Sequence, residues 1–63
     1  MDFDTTLLCL SRADGLMCRR QSWEEPHYVH IENDDLHLLT ASGGEEPFTP
    51  SVNDVLAKDW ILI

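Results

Sequence analysis

Two histidines on either side of a short polar stretch are the first candidates for chemistry. His30 and His37 flank Asn33-Asp34-Asp35. If the chain reverses at Asn33-Asp34, the two imidazoles face each other across a hairpin, with Glu32 and Asp35 on the same side. Two imidazoles and a carboxylate are donors of the kind that hold a divalent metal. No third ligand sits at a fixed spacing, so the expectation is a polar sheet face with no metal and no cofactor. If the loop lies one residue further on, Glu32 faces His37 as a cross-strand charge pair.

The second candidate is Arg19-Arg20-Gln21-Ser22-Trp23, the only basic cluster in the chain. An aromatic ring beside guanidinium groups can stack a base while arginine holds a phosphate. Adjacent arginines on a strand point to opposite faces, so only one could serve a given pocket. The competing reading makes Trp23 a core or interface anchor and pairs the arginines with the abundant carboxylates. Catalysis finds little support. Ser51 with His27 or His30 could be cast as nucleophile and base, but Ser51 followed three residues later by Asp54 is a capping-box pattern with a structural role. There is no Gly-x-Ser-x-Gly, no glycine-rich phosphate loop and no cysteine with a partner placed by spacing. The chain reads as a binding protein and not as an enzyme.

The elements that position these residues follow from patterning. Asp4 is a candidate N-cap for a helix over residues 5–12, with Leu7, Leu8 and Leu10 marking its buried side and Gly15 suited to a left-handed position beyond its end. Residues 16–21 alternate as a strand, with Leu16 and Cys18 on one side and Met17 and Arg19 on the other. Pro26 lacks a ladder amide and belongs to the loop after it. Residues 27–32 and 36–40 form the clearest hairpin, pairing Ile31 with Leu36 and Val29 with Leu38. Residues 41–47 are too polar and glycine-rich for an element. After Ser51 a short helix is expected to bury Val52, Val55 and Leu56, and the apolar, β-branched run 60–63 reads as a strand within the core. The fold class is α+β, a small, mainly antiparallel four-stranded sheet with two short helices in the order α-β-β-β-α-β, as a single domain over residues 1–63.

Length and charge narrow the function. A chain of 63 residues buries only about 60% of the surface its unfolded form exposes, so stability is marginal and homo-oligomerisation is the aid that composition least opposes. Cys9 and Cys18, without CxxC spacing, read as small apolar residues in a reducing compartment. Asp2 and Asp4 stand where a secretory leader needs positive charge, and no apolar run approaches the roughly 18 residues of a membrane span. Twelve acidic residues against four basic ones give a formal charge of −8. That charge repels nucleic acid and anionic lipid and attracts basic protein surfaces.

Met1-Asp2-Phe3 opening a leucine-bearing helix, Arg20-Gln21-Ser22-Trp23, Tyr28-Val29 in a strand and the closing phrase Pro47-Phe48-Thr49-Pro50-Ser51-Val52-Asn53-Asp54-Val55-Leu56-Ala57-Lys58-Asp59-Trp60 together resemble a phage and prophage domain family. That family includes the Thoeris anti-defence two proteins and a type II anti-CRISPR. The resemblance runs nearly end to end, and its closing phrase is its most specific part. It implies a phage-encoded antagonist of bacterial immunity, acting in the cytoplasm of the infected host, that either sequesters a cyclic nucleotide signal within an oligomer or binds a defence protein. The chain departs from the family in being shorter between Trp23 and Tyr28 and unusually acidic.

The acidity turns the expectation towards an anti-CRISPR-type inhibitor that occupies a nucleic-acid-binding site of a CRISPR effector complex, since such effectors hold nucleic acid in positively charged channels. The expected partner is an immune effector with a basic surface, with no direct binding of nucleic acid or membrane. Glu24, Glu25, Glu32, Asp34, Asp35, Glu45 and Glu46 are the contributing charges, because all lie in expected loops or on the hairpin's polar side. The alternative, an oligomeric nucleotide sponge, would use Arg20, Trp23 and Tyr28 around a small-molecule pocket.

Overall fold

The computed structural model describes residues 1–13, 15–24 and 26–63. Its elements follow as α1 (Phe3–Arg12), β1 (Cys18–Arg20), β2 (Tyr28–Glu32), β3 (Asp35–Leu39), β4 (Glu45–Pro47), α2 (Val52–Leu56) and β5 (Trp60–Leu62). The architecture is α+β, with five strands rather than four in the spatial order β4-β3-β2-β1-β5, every neighbour antiparallel.

The hairpin sets the register of the sheet. Asn33 and Asp34 take φ of 52° and 65°, the pair of positive values that a two-residue turn matched to strand twist requires and that Asn and Asp tolerate best after glycine. The loop therefore lies at Asn33-Asp34. Ile31 pairs with Leu36, Val29 with Leu38 and His30 with His37.

The fifth strand comes from the segment read as a polar connection. Gly43, at φ 88°, closes a tight turn in which the Thr40 amide donates to the Gly44 carbonyl at 2.8 Å and the Gly43 amide to the Thr40 carbonyl at 3.0 Å. That turn brings Glu45 and Glu46 against Leu39 and Leu38. Pairing is backbone chemistry, and an edge strand needs no apolar side chains to accept it. The strand's polarity concealed it.

α1 begins two residues earlier than expected. Asp2, not Asp4, is the N-cap, its carboxylate accepting from the Thr5 amide at 2.8 Å. That hydrogen bond holds the Asp2 carboxyl below its ordinary value. The inward stripe is Phe3, Thr6 and Leu10, at helical spacing. Leu8 falls outside it and is exposed. Thr6 is admitted to the interior because its hydroxyl donates to the Asp2 carbonyl at 2.8 Å, which satisfies the one polar group it buries. Gly15 takes φ 83°, the left-handed conformation expected of it.

α2 turns a different face inward from the one its apolar residues suggest. Ser51 and Asp54 form the capping box, with the Asp54 amide on Ser51 Oγ at 3.1 Å and the Ser51 amide on Asp54 Oδ2 at 3.0 Å. Asp54 and Ala57 are the half-buried positions, tied down by Trp60 Nε1 donating to the Asp54 carbonyl at 2.9 Å. Val52 (74% exposed) and Leu56 (70%) consequently face out. The expectation that they pack inward is overturned by these polar ties.

The core is small: Leu10, Cys18, Val29 and Trp60, ringed by Phe3, Leu16, Trp23, Ile31, Leu36, Leu38, Phe48 and Ala57. Burial pushes the Cys18 thiol up to about 12, which makes it an inert apolar filler. β5 pairs with β1 from Trp60 to Leu62 but forms a sheet edge, so Trp60 alone is fully buried and Ile61, Leu62 and Ile63 are exposed. Its outer side exchanges bonds with Met1: the amino group donates to the Trp60 carbonyl at 2.9 Å, and the Trp60 amide to the Met1 carbonyl at 3.2 Å.

Strand alternation leaves the two sheet faces unlike each other. Cys18, Arg20, Val29, Leu38 and Trp60 share the side that α1 and α2 cover. The other side carries Arg19, Tyr28, His30, Glu32, Asp35, His37 and Glu45. Among the described residues no helix is long and apolar enough to cross a membrane.

Candidate functional site

Trp23 leaves β1 through a turn closed by its own amide on the Arg20 carbonyl at 3.1 Å. Its ring packs edge-on to Trp60, with centroids 5.5 Å apart, and to Phe48 at 6.2 Å. Phe3 completes the aromatic group against Trp60 at 5.5 Å. The exposed flank of Trp23 lines a shallow, open groove of about 510 Å³ with Ser22, Glu24, His27 and Leu38. A groove of this volume suits a small ligand or an inserted side chain.

The cation beside it is already committed. Arg20 Nε donates to Asp59 Oδ1 at 2.9 Å, and Nη1 to Asp54 Oδ1 at 3.2 Å. Asp59 Oδ2 accepts the Ser22 amide at 3.1 Å. The Arg20 hydrogen bond, seconded by Ser22, holds the Asp59 carboxyl down at about 2, and Asp59 in turn raises the Arg20 guanidinium above its ordinary value. Two carboxylates on one guanidinium leave little positive field for a phosphate. Arg19, on the open face, is also engaged, with Nη2 donating to the Trp23 carbonyl.

The open face holds the histidines. His30 and His37 lie with ring centroids 5.7 Å apart, and Glu45 reaches both from β4, its Oε1 3.1 Å from His37 Nδ1 and 3.5 Å from His30 Nε2. Glu32 and Asp35 are register partners at the hairpin end, an adjacent like-charge pair that disfavours the strand ends unless something positive lies over them.

A family model described as Tad2-like, the Thoeris anti-defense 2-like domain, matches residues 1–63. The chain belongs to this family. Membership carries a phage anti-defence function. Comparison with curated proteins returns no match.

Within this Tad2-like domain the expected ligand trio does not converge. Trp23 joins the helix-covered side, Arg20 is held by Asp54 and Asp59, and Tyr28, next to the buried Val29, points to the opposite face of β2. Trp23 packs against Trp60 and Phe48 and Arg20 pairs with two carboxylates, whereas Arg19 meets a backbone carbonyl and no carboxylate among the described residues. The acidic set divides. Glu32, Asp35 and Glu45 share the open face, whereas Asp34, in the turn, lines a cavity with Leu10, Leu16 and Ile31 on the side of α1, Glu46, paired with Leu38, alternates to that side too, and Glu24 borders the groove. Glu25 lies outside the described residues. Sequence reasoning missed His27 and Leu38 as groove walls and Asp59 as the principal partner of Arg20. No local signal marks Asp59, since its pairing depends on β5 running beside β1.

Proposed function

We propose that this anti-defence protein acts by binding, laying its acidic open face and hairpin tip over the basic nucleic-acid-binding surface of an immune effector, as an anti-CRISPR-type inhibitor. The observation that carries this reading is the grouping of Glu32, Asp35 and Glu45 on one side of the sheet, while Arg19, the arginine of that side, is tied to the Trp23 carbonyl. Such a surface is steered towards a basic channel and competes there with phosphates. Association should be fast at low salt and should weaken as ionic strength rises, because exposed charges are screened beyond roughly 8 Å at physiological salt. Replacing Glu32 and Asp35 with lysine should slow association more than it speeds dissociation. The matched reversals of Glu24 and Glu46, away from that face, should matter less. Binding to a CRISPR effector that ignores salt and all of these reversals would remove the proposal.

A second reading, the oligomeric sponge for a cyclic nucleotide signal, draws on the groove beside Trp23, whose volume and aromatic wall suit a nucleobase. Exposed Val52, Leu56 and Ile63 offer apolar surface for self-association. Glu24 on the rim weighs against it, since an uncompensated carboxylate near a phosphate costs about 1 kcal/mol even in water. Calorimetry with cyclic ADP-ribose isomers and cyclic dinucleotides separates the two, as only the sponge gives heat.

A further inference from the structure

We propose that His30, Glu32 and Glu45, with His37 alongside, form a divalent-metal site on the open sheet face, suited to Zn²⁺. It shares Glu32 and Glu45 with the acidic face proposed above, and its test reads metal binding alone, without any partner. It begins with an oddity of burial: His30 Nε2 has almost no contact with solvent and, among the described residues, no hydrogen-bond partner. An imidazole nitrogen enclosed in this way loses its hydration without replacement. Glu45 Oε1 faces it at 3.5 Å, and the same oxygen stands 3.1 Å from His37 Nδ1. Two ligands held at roughly 2.0–2.2 Å from a tetrahedral zinc are themselves about 3.3 Å apart. The 3.5 Å between His30 Nε2 and Glu45 Oε1 is close to that edge length, so an ion can be admitted between these two atoms with small side-chain shifts.

A further donor is within range. Ligand atoms of His30, Glu32 and Glu45 all lie within 4.8 Å of one another, which makes Glu32 the third ligand and leaves a water, or a rotated His37, to complete a fourth position. An imidazole with two carboxylates favours zinc or another late first-row ion over magnesium or calcium, which prefer all-oxygen sites. The positive charge would also offset the repulsion between Glu32 and Glu45. The donors come from three adjacent strands, so their spacing is set by the sheet. His30 and His37 are register partners on β2 and β3, and Glu45 arrives on β4, the strand that polar composition hid.

The test is a titration of the whole protein with Zn²⁺ in competition with a chromophoric chelator, at a pH where imidazole is neutral. One ion per chain is expected. Glu45→Gln, Glu32→Gln and His30→Ala should each weaken binding by more than about 100-fold, the upper range for losing even a supporting contact of a metal site. His27→Ala, whose imidazole packs against Trp23, should leave it unchanged. Nitrogen-detected NMR should show His30 ligated through Nε2. If His30→Ala fails to fold, Glu45→Gln on the exposed edge strand still decides the matter. Binding only in the millimolar range, half an ion per chain, or equal losses in His27→Ala would each overturn the site and leave Glu45 as an ion-pair partner of the histidines.

Discussion

Arg20 Nε donates to Asp59 Oδ1 at 2.9 Å across 39 residues of sequence, and this contact ties the basic cluster on β1 to the segment that turns α2 into β5. The same guanidinium reaches Asp54 in the capping box, so one side chain anchors both the helix and the final strand. The arginine that an anionic ligand would need is therefore part of the framework. In so small a domain the polar contacts at the core's margin fix how α2 sits, because α2 itself buries no residue fully.

The Arg20–Asp59 pair makes stability depend on acid. Asp59 titrates at about 2 when folded, against an ordinary 3.8. A depressed carboxylate contributes stability that is fully present above its unfolded value and is lost as pH falls through the folded one. Melting temperature should therefore drop between about pH 4 and pH 2, and Asp59→Asn should flatten that part of the profile. A variant with an unchanged acid limb would show that another group governs it.

Trp60 is 0% exposed and touches Phe3, Trp23 and Phe48. Trp60→Ala should cost about 3–5 kcal/mol, comparable to the whole stability of a domain this size. Trp60→Phe keeps most of the apolar contact but loses the bond to the Asp54 carbonyl, so it should fall between wild type and alanine in urea denaturation. Wild-type stability in the alanine variant would remove Trp60 from the centre of the core.

Ser51 accepts the Asp54 amide at 3.1 Å. Ser51→Ala should lower stability by about 1 kcal/mol through the lost cap, while binding to any partner away from α2 stays intact. Loss of function at unchanged stability would instead place Ser51 in the working surface.

Asp34 occupies the second left-handed position of the hairpin turn, where glycine is the favoured residue. Asp34→Gly should raise stability by about 0.5–1 kcal/mol, within the range that relief of left-handed strain allows. The change should appear as a higher denaturation midpoint at constant slope. A lower midpoint would mean that the Asp34 side chain contributes more to the turn than its backbone strain removes.

Local chemistry was enough to make several features legible in the sequence. The alternation of Val29 and Ile31 with His30, the glycine at position 15 and the capping box at Ser51 each depend on a few adjacent residues, and each stands where patterning placed it; the reversal was open between Asn33-Asp34 and Asp34-Asp35 until the backbone decided for the first. The closing phrase from Pro47 to Trp60 pointed to the family that covers the whole chain. The partners of the site residues required the tertiary structure. Glu45 meets His30 and His37 only because a glycine turn lays a polar segment along β3, and backbone pairing leaves no mark in hydropathy. The outward turn of Val52 and Leu56 follows from Trp60 and Arg20 seizing Asp54, contacts made across 6 and 34 residues. Arg20 and Tyr28 sit close enough in sequence to suggest a shared pocket, yet Arg20 meets its two carboxylates on the side that the helices cover while strand alternation sends Tyr28 to the open face. Apolar pattern can say which residues ought to be buried, but competition among distant polar groups decided which of them are.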